Sequence, residues 1–296
     1  MNNLLAVKKI DRFETILSAL KTHGFVFHDM VDGGAGWGET SESMIQFGTE
    51  SSRCFAFEPF PGNHGFFNGR DSRVELLKFA LDNTDKTSNF FVPSTVKTNS
   101  EWGEQGLTGY SSVGFLEGSN LNSWKSIGRR FKSLFLKRKY EGFSISVECR
   151  RGDEILESAN AKVDFMKLDL QGGELNALQG MENLLNTLPF MWIEFTGFRG
   201  KEILDHVASK GFHLFDTSYL FMGNPTPLVK QLFDISRENV TISTGSTAYF
   251  GFKKFGWVDY YTEFMKLQKD NFLVQTDIFC VKTAYLDLFY KSLLSC

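Results

Sequence analysis

Four strand-like stretches of this chain end in or beside an acidic residue. "FVFHDMVD" delivers the chain to Asp32, "RCFAFEP" to Glu58, "VDFMKLDL" to Asp169 and "FMWIEF" to Glu194. Helical spacing recurs between them, so the pattern predicts an α/β protein with a mainly parallel sheet and helices on both faces. In such sheets ligands sit beyond the C-terminal strand ends. All four acids therefore fall along the edge where chemistry is expected.

The remaining elements fill in around that frame. Ile10, Phe13, Ile16, Leu17 and Leu20 predict a first helix that stops at Gly24, and "ETSESMIQFG" a second, starting near Thr40 and ending at Gly48. "RVELLKFAL" reads as a third strand. "QGGELNALQGMENLLNTL" reads as one helix buried along Leu175, Leu178, Met181, Leu185 and Leu188. A further helix carries Ile203, Leu204 and Val207, "FHLFD" is a sixth strand, and "STAYFGFKK" is expected to be the seventh. Between Ser88 and Val147 the pattern loosens into short aromatic strands and glycine- and serine-rich pieces. The expected organisation is one domain over 1–256 with a lid-like insertion at about 88–147. An aromatic helical extension over 257–296 completes it, packed on the domain or forming a homodimer.

Composition narrows the class. A net charge of −3 gives no argument for nucleic acid, and 31 phenylalanines against six prolines favour packed elements over disorder. Cys54, Cys149, Cys280 and Cys296 form no CxxC pair, so reduced thiols are expected rather than a metal site or disulfide framework. No apolar run approaches the ~20 residues of a membrane span, and the N-terminus lacks a cleavable-signal pattern. A cytoplasmic protein is the expectation.

The stretch "MVDGGAGWGET" joins a strand to a helix through Gly33, Gly34, Gly36 and Gly38. Amides freed there favour an anionic or carboxylate group, and Glu58, 22 residues beyond Gly36, can accept from two ribose hydroxyls. The dinucleotide fingerprint GxGxxG fails in both registers, because position 39 is Glu39 and position 41 is Ser41. An acid before the glycines suits a ligand carrying both a carboxylate and a cationic ammonium or sulfonium, which describes S-adenosylmethionine. The bland alternative is a tight strand–helix turn with no ligand.

"VDGGAGWGET", "AFEPFPGN", "VDFMKLDLQGGELNALQGM" and "WIEF", in this order and spacing, resemble the successive signatures of FkbM-type S-adenosylmethionine-dependent methyltransferases. The resemblance covers about residues 25 to 200. It implies a class I methyltransferase fold, Rossmann-like with seven strands, and O-methylation, often of sugar or polyketide hydroxyls. It places Asp32, Gly34, Ala35 and Gly36 on the cofactor loop, Glu58 on the ribose, and Ala80, Leu81 and Asp82 at the adenine. One departure is that the family commonly reads Asp-x-Glu-Gly-x-Glu where this chain has Asp169-Leu170-Gln171-Gly172-Gly173-Glu174. Glutamine keeps the hydrogen-bonding shape and loses the charge.

Methyl transfer to a hydroxyl needs in-line positioning and a base for the departing proton. Asp169, at the end of the central strand, is the first candidate. Lys167 could lower its pKa or act itself if neutral, or form a structural ion pair with Glu174 or Glu194, and His64 is a reserve base. Asp169, Glu174 and Glu194 are the ligand set for a divalent metal, a less favoured option given Gln171. The segment from Trp124 to Tyr140 carries seven basic residues interleaved with apolar ones. It suits contact with an anionic membrane or a phosphorylated acceptor, or a solvated helix in a lid. The alternatives to a methyltransferase acting on a glycan or small metabolite are a catalytically weak scaffold and a nicotinamide-dependent oxidoreductase.

Overall fold

Strand β1 (Asp29–Gly33) shows how one sheet serves two cores: Met30 packs into the core on one face and Val31 into the core on the other. This is the period-two alternation of a strand buried on both sides. The computed structural model describes residues 13–93, 115–116, 142–197, 199–216, 261–262, 264–266 and 276–294. Further strands are β2 (Cys54–Phe57), β3 (Val74–Leu77), β4 (Ala80–Leu81), β5 (Lys86–Pro93), β6 (Phe115–Leu116) and β7 (Gly142–Arg150). They are followed by β8 (Val163–Leu168), β9 (Phe190–Phe195), β10 (Phe212–Asp216) and β11 (Thr276–Lys282).

The main sheet has seven strands in the order β10-β11-β9-β8-β1-β2-β3, and β11 alone runs antiparallel to its neighbours. Helices Phe13–Thr22 and Leu286–Leu294 cover one face, and helices Glu174–Gln179, Glu182–Thr187 and Gly200–Ser209 cover the other. This is the seven-stranded class I arrangement. The N-terminal edge is pinned by Asp29, whose carboxylate accepts from the Arg53 amide (3.0 Å), Arg53 Nη2 (2.8 Å) and the Lys162 amide (3.0 Å). That leaves the opposite edge for a ligand.

Three expectations need correction. The tail over 257–296 is not only a helical extension: β11 inserts between β9 and β10, and only then does helix Leu286–Leu294 follow. The strand expected at "STAYFGFKK" lies outside the described residues, and the seventh place in the sheet belongs to β11. The helix expected over 171–188 is two helices. At Gly180 a Cβ would stand 2.0 Å from the Asp82 carbonyl oxygen, so the chain bends there against a distant segment.

"RVELLKFAL" also divides. Its first half is β3, while β4 crosses to a second sheet of order β4-β7-β5-β6. That sheet is built on an antiparallel pairing of β5 with β7, from Lys86 opposite Cys149 to Pro93 opposite Gly142. The insertion expected at about 88–147 thus begins and ends within a strand pair. Cys54, Cys149 and Cys280 are buried free thiols. Among the described residues no helix is long and apolar enough to cross a membrane. The basic segment from Trp124 to Tyr140 lies outside the described residues.

Candidate active site

A pocket opens beyond the C-terminal ends of β1, β2 and β8. Gly34, Glu58 and Asp169 line it where those strands finish, Phe79, Ala80 and Leu81 form one wall, and Phe90 and Leu116 reach it from the second sheet. An acid on either side of an apolar slot matches what a nucleoside needs: an apolar surface for the base and acceptors for the sugar hydroxyls.

Gly34 explains the glycines at the end of β1. Its φ is +79°, and a Cβ there would lie 2.0 Å from the Asp169 carbonyl oxygen. Only glycine allows this backbone conformation and this approach together. The loop's amides are not free as the sequence suggests. Gly34 and Ala35 donate to the Phe57 carbonyl at 3.1 and 3.0 Å, and Gly38 donates to the Ala35 carbonyl at 2.8 Å. Gly36 donates to Glu58 Oε2 at 2.8 Å, and the Phe60 amide donates to Oε1 at 2.7 Å. The loop therefore orients an acid rather than offering an anion hole. Burial pushes the Glu58 carboxyl up to about 7 against the pull of those two amides.

Asp32 is fully buried beneath the loop and does not line the pocket. Its Oδ2 accepts from Ser41 Oγ at 2.7 Å, while Oδ1 has no hydrogen-bond partner and faces Lys167 Nζ at 3.9 Å. Asp32 and Lys167 are paired residues of β1 and β8, which brings them together. Burial raises the Asp32 pKa, with Lys167 and Ser41 opposing.

Lys167 lies 3.2 Å from Asp169 Oδ2. Burial works against its charge, but Asp169, Asp32 and Glu194 outweigh that and hold its pKa above the ordinary lysine value. These surroundings favour a charged Lys167, and its ion-pair partners are Asp169 and Asp32 rather than Glu174 or Glu194. Burial likewise opposes ionisation of Asp169, but the Lys167 charge together with hydrogen bonds from Glu194, Gln171 and Lys167 outweighs it and keeps that carboxyl below the usual aspartate range. The Asp169 side chain is 35% exposed, so its charge is presented to the pocket.

Gln171, in the left-handed region at φ +52°, turns its carboxamide back across the strand ends. Nε2 donates to Asp169 Oδ1 at 2.7 Å and to Glu194 Oε2 at 2.8 Å. Burial, reinforced by the charges of Asp169, Glu174 and Asp277, pushes Glu194 well above the ordinary glutamate value. Glu174 turns the other way: its Oε1 accepts from the Leu170 and Gly172 amides, both at 3.0 Å. Asp169, Glu174 and Glu194 do not converge on one point, so the expected metal set does not fit. Among the described residues no group of three or more such side chains could hold a metal ion.

Two other expected site residues sit elsewhere. Asp82 does not line the pocket, accepting from the Asn83 amide at 2.7 Å and pairing with Lys86 at 3.0 Å, so of the three residues expected at the adenine only Ala80 and Leu81 line it, joined by Phe79. His64 Nε2 lies 2.9 Å from the Glu58 carbonyl oxygen and must donate to it, and His64 does not line the pocket. Burial, with Lys78 nearby, lowers its pKa despite that bond. Sequence reasoning misses Ser41, Phe79, Phe90 and Asp277. Only Ser41, nine residues after Asp32 in the first turn of helix Glu39–Ile45, leaves a local signal.

Residues 26–214 match the model of the methyltransferase FkbM domain. The chain belongs to the FkbM methyltransferase family. The match starts just before β1 and ends in β10, so β11 with Asp277 lies beyond it. A comparison with curated proteins finds no match. Among solved structures the chain is similar to the precorrin-6y C5,15-methyltransferase of Geobacter metallireducens GS-15. Identity is 11% and the TM-score 0.36, over 92% of this chain and 91% of that one. It is also similar to a candidate rRNA-methylase of Clostridium thermocellum, at 13% identity and TM-score 0.32, over 68% of this chain and 87% of that one. Membership in the FkbM family makes the protein a methyltransferase and implies S-adenosylmethionine as methyl donor.

Proposed function

We propose that this FkbM methyltransferase methylates a hydroxyl oxygen of a saccharide or related small metabolite. The observation that carries the reading is the pairing, in one pocket, of the ligand-facing acid Glu58 with an ionised Asp169. The pocket fits the donor: Glu58 would take the ribose hydroxyls and Phe79, Ala80 and Leu81 the adenine. The Gly34–Gly36 loop would lie under the amino-acid end, with the unpartnered Asp32 Oδ1 below it.

When bound, S-adenosylmethionine supplies an electrophilic methyl group on a sulfonium. Asp169 accepts the hydroxyl proton of the acceptor as the new O–C bond forms. A weak base suffices, because the acceptor oxygen becomes an oxonium during transfer and its proton is then strongly acidic. Lys167 keeps Asp169 ionised for that step and carries no proton away. The apolar pocket lining limits water around the reacting groups, and in-line placement of the acceptor supplies the rest of the rate.

The test is a screen with labelled S-adenosylmethionine over glycans and small hydroxylated metabolites, with thermal shifts by S-adenosylhomocysteine and nicotinamide cofactors as the binding control. Label in an ether-linked methyl of a saccharide supports the reading. Transfer confined to nitrogen or carbon acceptors overturns it. A shift with nicotinamide cofactors and none with S-adenosylhomocysteine overturns the donor assignment.

A further inference from the structure

Asp169 and Glu194 end two neighbouring strands of the sheet, β8 and β9, and their carboxylates approach the same side chain. Two acids so placed share a hydrogen bond only while Glu194 keeps its proton, as burial and the Asp169 charge favour, and once both ionise they repel unless something positive or protic stands between them. Hard divalent cations do this with oxygen ligands, and so can an NH2 group that spends one hydrogen on each acid. Here the bridging group is the Gln171 carboxamide, at 2.7 and 2.8 Å. The amide orientation is fixed by chemistry, since the oxygen of Gln171 could not face the ionised Asp169.

The surroundings leave little room for a different arrangement. Asp169 Oδ2 is held by Lys167, Glu174 is spent on the Leu170 and Gly172 amides, and Asp32 is tied to Ser41 and Lys167. Asp277, opposite Glu194 on β11, adds another acid. The left-handed backbone at Gln171 aims its side chain back at the strand ends, and glutamate has the same reach and would place an acid at the same spot.

We infer that Gln171 is a positioning residue whose amide stands in for a divalent cation between Asp169 and Glu194, and that Gln171→Glu turns this spot into an oxygen-only divalent-cation site. The acid pair is then held in register without metal. In the variant three acids face one another, and once ionised they need a cation to stay together. The inference takes from the proposed function only the reading of Asp169 as a pocket-facing acid. Its test does not depend on methyl transfer.

The experiment uses the full chain, stripped with chelator, titrated with Mn2+ by electron paramagnetic resonance and melted with and without Mg2+. The parent is expected to show no saturable Mn2+ binding. Gln171→Glu is expected to bind one Mn2+, in the ~10⁻⁴–10⁻³ M range of weak oxygen-ligand sites. Its lowered melting temperature should recover with Mg2+, while Gln171→Leu should be destabilised and indifferent to Mg2+. Saturable binding by the parent that Asp169→Asn or Glu194→Gln removes overturns the inference. So does a folded Gln171→Glu that ignores both ions. If Gln171→Glu fails to fold without metal, refolding it in Mg2+ decides: recovery supports the inference and continued failure overturns it. The functional reading fails separately, through an Asp169→Asn enzyme that keeps full turnover while the Mn2+ results stand.

Discussion

The Gly36 amide donates to Glu58 Oε2 at 2.8 Å, tying the turn after β1 to the acid after β2. With the Phe60 amide on Oε1, each carboxylate oxygen keeps a lone pair for a ribose hydroxyl. On the proposed reading, Glu58→Ala loses two charge-assisted bonds to the ligand as well as the anchor of the loop. At about 1.5–3 kcal/mol for each bond to a charged group, calorimetry should show S-adenosylhomocysteine affinity down by at least ~100-fold. Unchanged affinity would remove Glu58 from the cofactor site.

Acidity at Glu58 gives binding a pH dependence. Its carboxyl is pushed up to about 7 by burial, and ribose hydroxyls donate best to the ionised form. Affinity for S-adenosylhomocysteine should therefore rise from pH 6 to 8, with a slope approaching about tenfold per unit below 7, and Glu58→Gln should flatten it. Stability of the ligand-free protein runs the other way. Glu58 and Glu174 both bind protons more tightly folded than unfolded, each at about 7 against an ordinary 4.5. Their contribution is fully present below about 4.5 and is lost as pH rises through 7. Glu174→Gln, which keeps an acceptor for both backbone amides, should reduce the fall in melting temperature over that window.

Asp169→Asn preserves shape and removes the proposed proton acceptor. With a verified acceptor, kcat should drop by ~10²–10⁴ while S-adenosylhomocysteine affinity changes little. His64→Gln should leave kcat near the parent value, because His64 is turned to the Glu58 carbonyl. Turnover that depends on His64 and not on Asp169 would reverse these roles.

Lys167→Met tests the ion-pair core. It strands Asp32, which is fully buried and otherwise held only by Ser41, beside the half-buried Asp169. Breaking a buried pair on one side costs about 3–5 kcal/mol, measurable by urea unfolding. Lys167→Met with Asp32→Asn should recover much of that loss, since the neutral amide needs no counter-charge.

The acids of the site are legible in the sequence because strand periodicity counts residues to the strand end. Asp32, Glu58, Asp169 and Glu194 all lie where parallel strands finish. Legibility stops where position depends on a distant segment. Nothing local separates Gly180 from a tolerated helix glycine, since its neighbour is the Asp82 carbonyl about a hundred residues earlier. Phe90 and Leu116 reach the pocket only because β5 pairs with β7. "TDIFCVK" is too short and too evenly apolar to be told from a helix segment, and its place between β9 and β10 is a tertiary choice. Asp277 travels with it.

That insertion has a consequence for how the protein is made. β9 and β10 leave the ribosome with a strand-wide gap between them, and the filler, β11, follows β9 by about eighty residues, on the order of 4–16 s at ~5–20 residues per second. Through that interval two apolar strands each hold a row of unmet backbone hydrogen-bonding groups, a template for pairing with another nascent chain. The sheet cannot close in the order in which it is synthesised. Until β11 arrives, β9 and β10 stay open to pairing with neighbouring chains on the polysome.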